Sequence, residues 1–105
     1  MRKIFILLFF LISAPSFSQD IKDIWKQLSS DIDSEVAGDR SGYSVSMSSD
    51  GTIVAIGAIR NNGNGTDAGH VRVYQYASST DTWTQLGSDI EGEANGDYSG
   101  YSVSI

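Results

Sequence analysis

At 105 residues, with no cysteine and 13 acidic side chains against 7 basic ones, this is a small acidic chain of net charge −6. That balance repels phosphate backbones and anionic lipid heads, which sets nucleic acid and membrane surfaces aside as partners. Without cysteine it also lacks the disulfides by which small secreted domains usually offset a thin core, so something else must stabilise it.

In chain order, the first element is "MRKIFILLFFLISAPSFSQ". Arg2 and Lys3 precede an apolar run from Ile4 to Ile12, followed by Pro15 and the small residues Ser16 and Ser18. This is the order of a secretory signal peptide, with cleavage expected after Ser18. The run is too short for the roughly 20 residues that span a bilayer. Residues 1–18 are therefore read as a signal peptide and 19–105 as the mature region, which keeps five basic and thirteen acidic residues for a net charge of −8. The expected location is outside the cell or at its surface, with no membrane insertion once the signal is removed.

"WKQL", Trp25 to Leu28, predicts a short strand, and a long acidic loop follows it. "YSVSMS", Tyr43 to Ser48, alternates as a strand does, with Tyr43, Val45 and Met47 on one side and serines on the other. "SDG", Ser49 to Gly51, is a tight turn whose Asp-Gly pair favours positive φ. "TIVAIGAI", Thr52 to Ile59, is a continuous apolar run and predicts a strand covered on both faces. "NNGNGTDAG", Asn61 to Gly69, is loop chemistry. "HVRVYQYA", His70 to Ala77, and "WTQL", Trp83 to Leu86, are two further strands joined by the turn "SSTDT", and "GSDIEGEANGDYSG" is a second acidic loop. No helical period follows the apolar N-terminus.

The chain repeats itself. "WKQLSSDIDSEVAGDRSGYSVSM" from Trp25 returns as "WTQLGSDIEGEANGDYSGYSVSI" from Trp83, 58 positions later and without a gap. A period of this size belongs to solenoids and propellers. A four-stranded sheet apolar on both faces needs neighbours on both, and stacking such sheets around an axis as propeller blades provides them. The fold class is therefore all-β: four-stranded antiparallel blades of a β-propeller. The boundaries expected are an outer strand of a preceding or closing blade at 25–28, a complete blade at about 42–87 and the start of the next at 98–105. Propellers need roughly 4–8 blades, so the sequence reads as the N-terminal piece of a longer protein.

These residues resemble the FG-GAP-like repeats of integrin-α-type propellers. "SGYSVSMS" around Gly42 and Tyr43 is similar to the aromatic-glycine strand of that family. "VAIGAI" is similar to its Gly-Ala-Pro strand, with Gly57 and Ala58 in place and Ile59 instead of proline. "GHVRVY", Gly69 to Tyr74, and "WTQLGSDIEGEANGD", Trp83 to Asp97, resemble a variant of secreted Bacteroidetes-type bacterial proteins. The resemblance implies a propeller blade. It does not carry over the family's calcium site, because "SMSSDGT" keeps only Asp50 and Gly51 where Ca²⁺ takes 6–8 oxygens.

Candidate chemistry is sparse. His70, the single histidine, reads as an ordinary strand side chain, with no nucleophile elbow and no second histidine. Asp31, Asp33, Glu35 and Asp39 recur as Asp89, Glu91, Glu93 and Asp97. Counted as EF-hand loops they fail, with Val36 and Gly42, or Ala94 and Gly100, where glycine and glutamate are required. They read as solvated turns, with loose calcium binding that includes Asn61, Asn64 and Asp67 as the alternative. Trp25, Trp83, Tyr43 and Tyr101 recur with the period and are expected to pack between blades. Tyr74 is a further aromatic, and Tyr76 and Tyr98 are freer to face solvent. No catalytic, cofactor-binding or metal residue is assigned, and no cofactor is expected.

The expected function is that of an exported, non-enzymatic repeat protein acting as a binding, adhesion or scaffold module, its loops meeting a protein or glycan. A propeller-based enzyme acting on polysaccharide or phosphate substrates is the alternative, and it would need singular residues that break the repeat. Self-association that pools blades from several copies is a third reading.

Overall fold

The alternating stretch "SGYSVSM" forms β1, Ser41–Met47. It begins two residues before the alternation does, because Ser41 already pairs with Ala58. A computed structural model describes residues 25–105; the signal-peptide reading of 1–18 lies outside the described residues. The apolar run forms β2, Ile53–Ala58, and is followed by β3, His70–Ala77, β4, Thr82–Gln85, and a two-residue β5, Ile90–Glu91. The described residues contain no helix. All pairings within the sheet are antiparallel, in the order β1-β2-β3-β4, with β5 beside β3. A four-stranded antiparallel all-β sheet in this order is consistent with a propeller blade.

Cross-strand register assigns the faces. Val45 lies opposite Ile56 and Met47 opposite Val54, while Ile56 lies opposite Arg72 and Val54 opposite Tyr74. These residues share one face with Ala58 and His70. The other face carries Ser44 and Ser46 against Gly57 and Ala55, then Val71 and Val73. Between Ser41 and Ser44 the register slips, and Gly42 takes φ +84° in the bulge, a conformation that only glycine adopts freely.

Both faces meet chain from a neighbouring period. Residues 32–35 lie over the first face, where Ile32, Glu35, Ile56, His70 and Arg72 border one small cavity. The second face receives the segment from Gly100. Ser44 Oγ donates to the Gly100 carbonyl at 2.6 Å, and the Ile105 amide donates to Ser46 Oγ at 3.0 Å. Tyr43 and its counterpart Tyr101 meet with ring centroids 5.2 Å apart. The blade is thus flanked on both sides, as a sheet apolar on both faces requires. Coverage is incomplete: Tyr43, Val45 and Met47 remain 45%, 62% and 54% exposed.

The period recurs in the backbone. Ser29 and Gly87 have φ 63° and 69°, Gly38 and Gly96 92° and 75°, Arg40 and Tyr98 58° and 52°, Gly42 and Gly100 84° and 88°. Each pair is 58 residues apart. Left-handed turns cost ordinary residues of order 1–2 kcal/mol, so four matched turns show that the repeat is one of conformation and not only of letters. Two bonds recur with them: Asp39 N to Val36 O and Asp97 N to Ala94 O, and Tyr43 N to Arg40 O and Tyr101 N to Tyr98 O.

Val54 and Ala55 of β2 are buried, and the most deeply buried residues gather at one end of the sheet. Ala58, Ile59 and Ala68 are almost fully buried there, with Asn61 and His70. The loop "NNGNGTDAG" lacks regular structure, as its composition says, yet its two ends are packed inside. Asn61 Nδ2 donates to Asp39 Oδ2 at 2.8 Å, and the Arg60 amide donates to the Asp39 carbonyl at 3.0 Å. On the other side the amides of Gly96, Tyr98 and Ser99 donate to the carbonyls of Thr66, Asp67 and Ala68.

Three expectations need adjustment. Residues 25–28 form no strand, because a strand needs a hydrogen-bonded partner and no other strand of their blade lies among the described residues. Trp83 Nε1 instead reaches the Leu28 carbonyl at 3.3 Å. Residues 98–105 likewise run without a strand, apart from one parallel bridge between Gly69 and Ser99. The second acidic loop is not wholly a loop, since Ile90 and Glu91 pair with Val71 and His70.

Three outcomes follow from these contacts. A Cβ at Gly57 would run into the Gly100 carbonyl, so Gly57→Ala should cost about 1–3 kcal/mol and release the 99–105 segment, measured by urea unfolding and amide exchange at Tyr101 to Ile105. Asn61→Ala leaves buried Asp39 without its side-chain donor and should cost about 1–3 kcal/mol in the same unfolding assay. Asp50 accepts hydrogen bonds from Ser48 Oγ, the Thr52 amide and Thr52 Oγ, which hold its carboxyl below the ordinary aspartate range, the Ser48 bond foremost. A depressed folded-state pKa contributes stability above the unfolded value, about 3.9, that is lost as pH falls through the folded value. Asp50→Asn should therefore reduce the loss of thermal stability between neutral pH and pH 3, relative to the parent.

Candidate functional site

Alternation along β3 puts His70, Arg72 and Tyr74 on one face. The pairing of Glu91 with His70 and of Ile90 with Val71 brings the returning chain alongside, and Asp89, just before β5, lands against Arg72. From the other side the 32–35 segment delivers Glu35. Three stretches far apart in sequence thus meet at the base of β3.

Arg72 organises the meeting. Its Nε and Nη2 donate to Asp89 Oδ1 and Oδ2, both at 2.8 Å, and Nη2 also donates to Glu35 Oε1. Gln85 Nε2 adds a bond to Asp89 Oδ1 at 2.7 Å. A guanidinium fork on a carboxylate is among the stronger ion-pair geometries. The Arg72 bond holds the Asp89 carboxyl below its ordinary range, and Asp89 raises Arg72 in return.

His70 stands beside this pair and is 4% exposed. Its Nδ1 lies 3.6 Å from Asp89 Oδ2, too far for a hydrogen bond, and has no partner. The neighbouring cavity is about 10 Å³ and is also bordered by Asp33, Ser34, Ser41 and Tyr74, room for about one water. Coordinating atoms of Glu35, His70 and Asp89 lie within 4.8 Å of one another.

The acidic residues part company here. Glu35 and Asp89 join the cluster. Asp39 is buried against Asn61, whereas its counterpart Asp97 is exposed and caps its own turn, accepting from the amides of Glu93 and Ala94 at 3.0 and 2.9 Å. Asp31 accepts from Gln27 at the surface, and Asp33, Glu91 and Glu93 are exposed. Asn61, Asn64 and Asp67 do not gather around a point. Asn61 binds Asp39, Asn64 Nδ2 donates to the Gly92 carbonyl at 2.8 Å, and the Asp67 amide donates to Asn62 Oδ1.

Among the aromatics, the Tyr43–Tyr101 contact is the packing between periods expected of the motif tyrosines. Trp83 packs instead within the blade, on Tyr76 at 5.2 Å, and Tyr76 donates to Asp81 Oδ1 at 2.7 Å, so Tyr76 is anchored rather than free. Trp25 is 87% exposed and Tyr98 39%.

Sequence reasoning did not join His70, Arg72, Asp89 and Glu35. "HVR" places two of them on one face of a strand. The return of Asp89 through β5 and the crossing of Glu35 have no local signature.

Residues 30–74 match the family described as FG-GAP repeat. No curated protein and no solved structure matches the chain. The matched stretch includes Glu35, all of β1 and β2, and β3 as far as Tyr74, taking in both His70 and Arg72. The match supports an FG-GAP-like repeat over residues 30–74, a stretch that holds β1, β2 and the first part of β3 in the antiparallel sheet.

Proposed function

We propose that this chain is an exported, non-enzymatic binding module: a propeller-type repeat scaffold whose exposed loops contact a protein or glycan partner at the cell surface or outside the cell. The observation that carries the reading is the use of the loop side chains. Asp39, Asn61, Asn64, Asp89 and Asn95 in the loops, together with Arg72 of β3, are engaged in holding neighbouring periods together. Exposed side chains such as Tyr98 are left to meet a partner. Aromatic rings on a rigid scaffold suit sugar faces and protein hot spots alike. Export is supported by the order of charge, apolar run and small residues in 1–18.

Two measurements test this. The N-terminus and location of the protein in its own cells should be Gln19 and extracytoplasmic, and an intact Met1 in the cytoplasm would overturn export. Purified protein should bind saturably on a glycan or surface-protein array, and Tyr98→Ala should weaken binding at least tenfold without lowering the unfolding midpoint. Binding that the substitution leaves unchanged would remove Tyr98 from the interface. Turnover of a polysaccharide or phosphate ester would replace the module by an enzyme.

A further inference from the structure

We infer that Glu35, His70 and Asp89 form a site for a divalent transition-metal ion of the zinc class, for which Arg72 is the built-in competitor.

The inference starts from His70. A buried imidazole nitrogen without a partner forfeits a hydrogen bond; Nδ1 stands beside Asp89, and ligand atoms of Glu35, His70 and Asp89 lie within 4.8 Å of one another. Zinc binds nitrogen and carboxylate oxygen at about 2.0–2.2 Å, and tetrahedral angles then put neighbouring ligand atoms about 3.3–3.6 Å apart. The separation of His70 Nδ1 and Asp89 Oδ2 is 3.6 Å. The third ligand, Glu35, has a side chain 46% exposed and can turn toward the ion. One imidazole and two carboxylates suit zinc, and also nickel or copper. Calcium and magnesium prefer oxygen alone, calcium with 6–8 ligands.

Arg72 sets the terms of binding. The two carboxylates carry two negative charges and the guanidinium one positive, so these three groups keep one uncompensated negative charge beside His70. Nη2 of Arg72 holds Glu35 Oε1 and Asp89 Oδ2, the latter being the oxygen 3.6 Å from the imidazole nitrogen. Metal and Nη2 are therefore alternative occupants. Asp89 Oδ1 is held separately by Arg72 Nε and Gln85, which keeps the carboxylate oriented while Oδ2 turns to the ion, the outer-shell support that metal ligands commonly have. Displacing part of an ion pair weakens the metal, so binding is reversible. Its consequence is mechanical: the ion ties the 32–35 segment, β3 and the 86–91 return to one point.

Zinc itself is the probe, titrated into chelator-treated full chain and followed by calorimetry and by the ¹⁵N resonances of His70, which as the single histidine is unambiguous. One equivalent should bind, with the Nδ1 resonance moving far more than Nε2. His70→Ala and Glu35→Gln should each weaken binding at least tenfold, and Arg72→Gln should tighten it at least fivefold, while calcium leaves the resonances unchanged. A zinc-insensitive His70 resonance overturns the site and leaves its nitrogen to a buried water. Equal affinity in the parent and Glu35→Gln removes Glu35 and with it the three-ligand site. Because Glu35 is half exposed and the resonance is read in the parent, the test stands even if His70→Ala fails to fold.

Discussion

The structure depends on the stretch from Ile59 to Gly69, where the backbone of one loop supplies the hydrogen bonds for two periods at once. On one side it grips Asp39 through the Arg60 amide and the Asn61 side chain. On the other, its carbonyls from Thr66 to Ala68 receive the amides of Gly96, Tyr98 and Ser99. Buried backbone groups must be paired, so these bonds hold the Gly-Asp corners of successive periods in place. The close approach leaves no room for side chains: a Cβ on Gly69 would press on the Ser99 backbone and one on Gly92 on the Ala68 carbonyl. A chain without disulfides is thereby stitched by loop backbone, which answers the question raised by its missing cysteines.

That stitching explains why the blade's apolar faces are only partly dry. Val54 and Ala55 in mid-strand are buried, while Val45 and Met47 on the edge strand β1 are more than half exposed. In a stacked architecture each face is completed by a neighbouring sheet. The serines of β1 fit the same scheme. Ser44 and Ser46 offer hydroxyls to the incoming segment on the small-residue face, so the polar half of the alternating strand is a docking surface for the next period and not simply the side turned to water.

Much of this was legible in the sequence, and where it was not the reason is physical. Alternation, branched runs and turn residues are local signals, so β1 to β4 stand within two residues of their expected places, and the 58-residue repeat returns as matched left-handed turns. β5 was hidden because a two-residue pairing has no period of its own; only the return of the chain beside His70 creates it. The cluster was hidden for the same reason. His70 read as an ordinary strand side chain on composition alone, and it is indeed in a strand. The carboxylates near its unpartnered nitrogen come from Glu35 and Asp89, which stand 35 positions before it and 19 after it.

Asp39 and Asp97 show how far identical letters leave a role undecided. Both follow a left-handed glycine, both precede a left-handed residue, and both donate their amides to the carbonyl three residues back. The Asp97 carboxylate folds back on the Glu93 and Ala94 amides and stays exposed. The Asp39 carboxylate turns to Asn61 of the next loop and is buried. The torsions are set locally by the Gly-Asp sequence, so they repeat. The carboxylate's partner is set by what packs beside the turn, and a buried carboxylate needs a donor there whereas an exposed one can use its own backbone. A period in the sequence therefore predicts conformation more securely than chemistry. The same division separates the blade, which composition and spacing announce, from the Arg72 cluster, which only contact between periods creates.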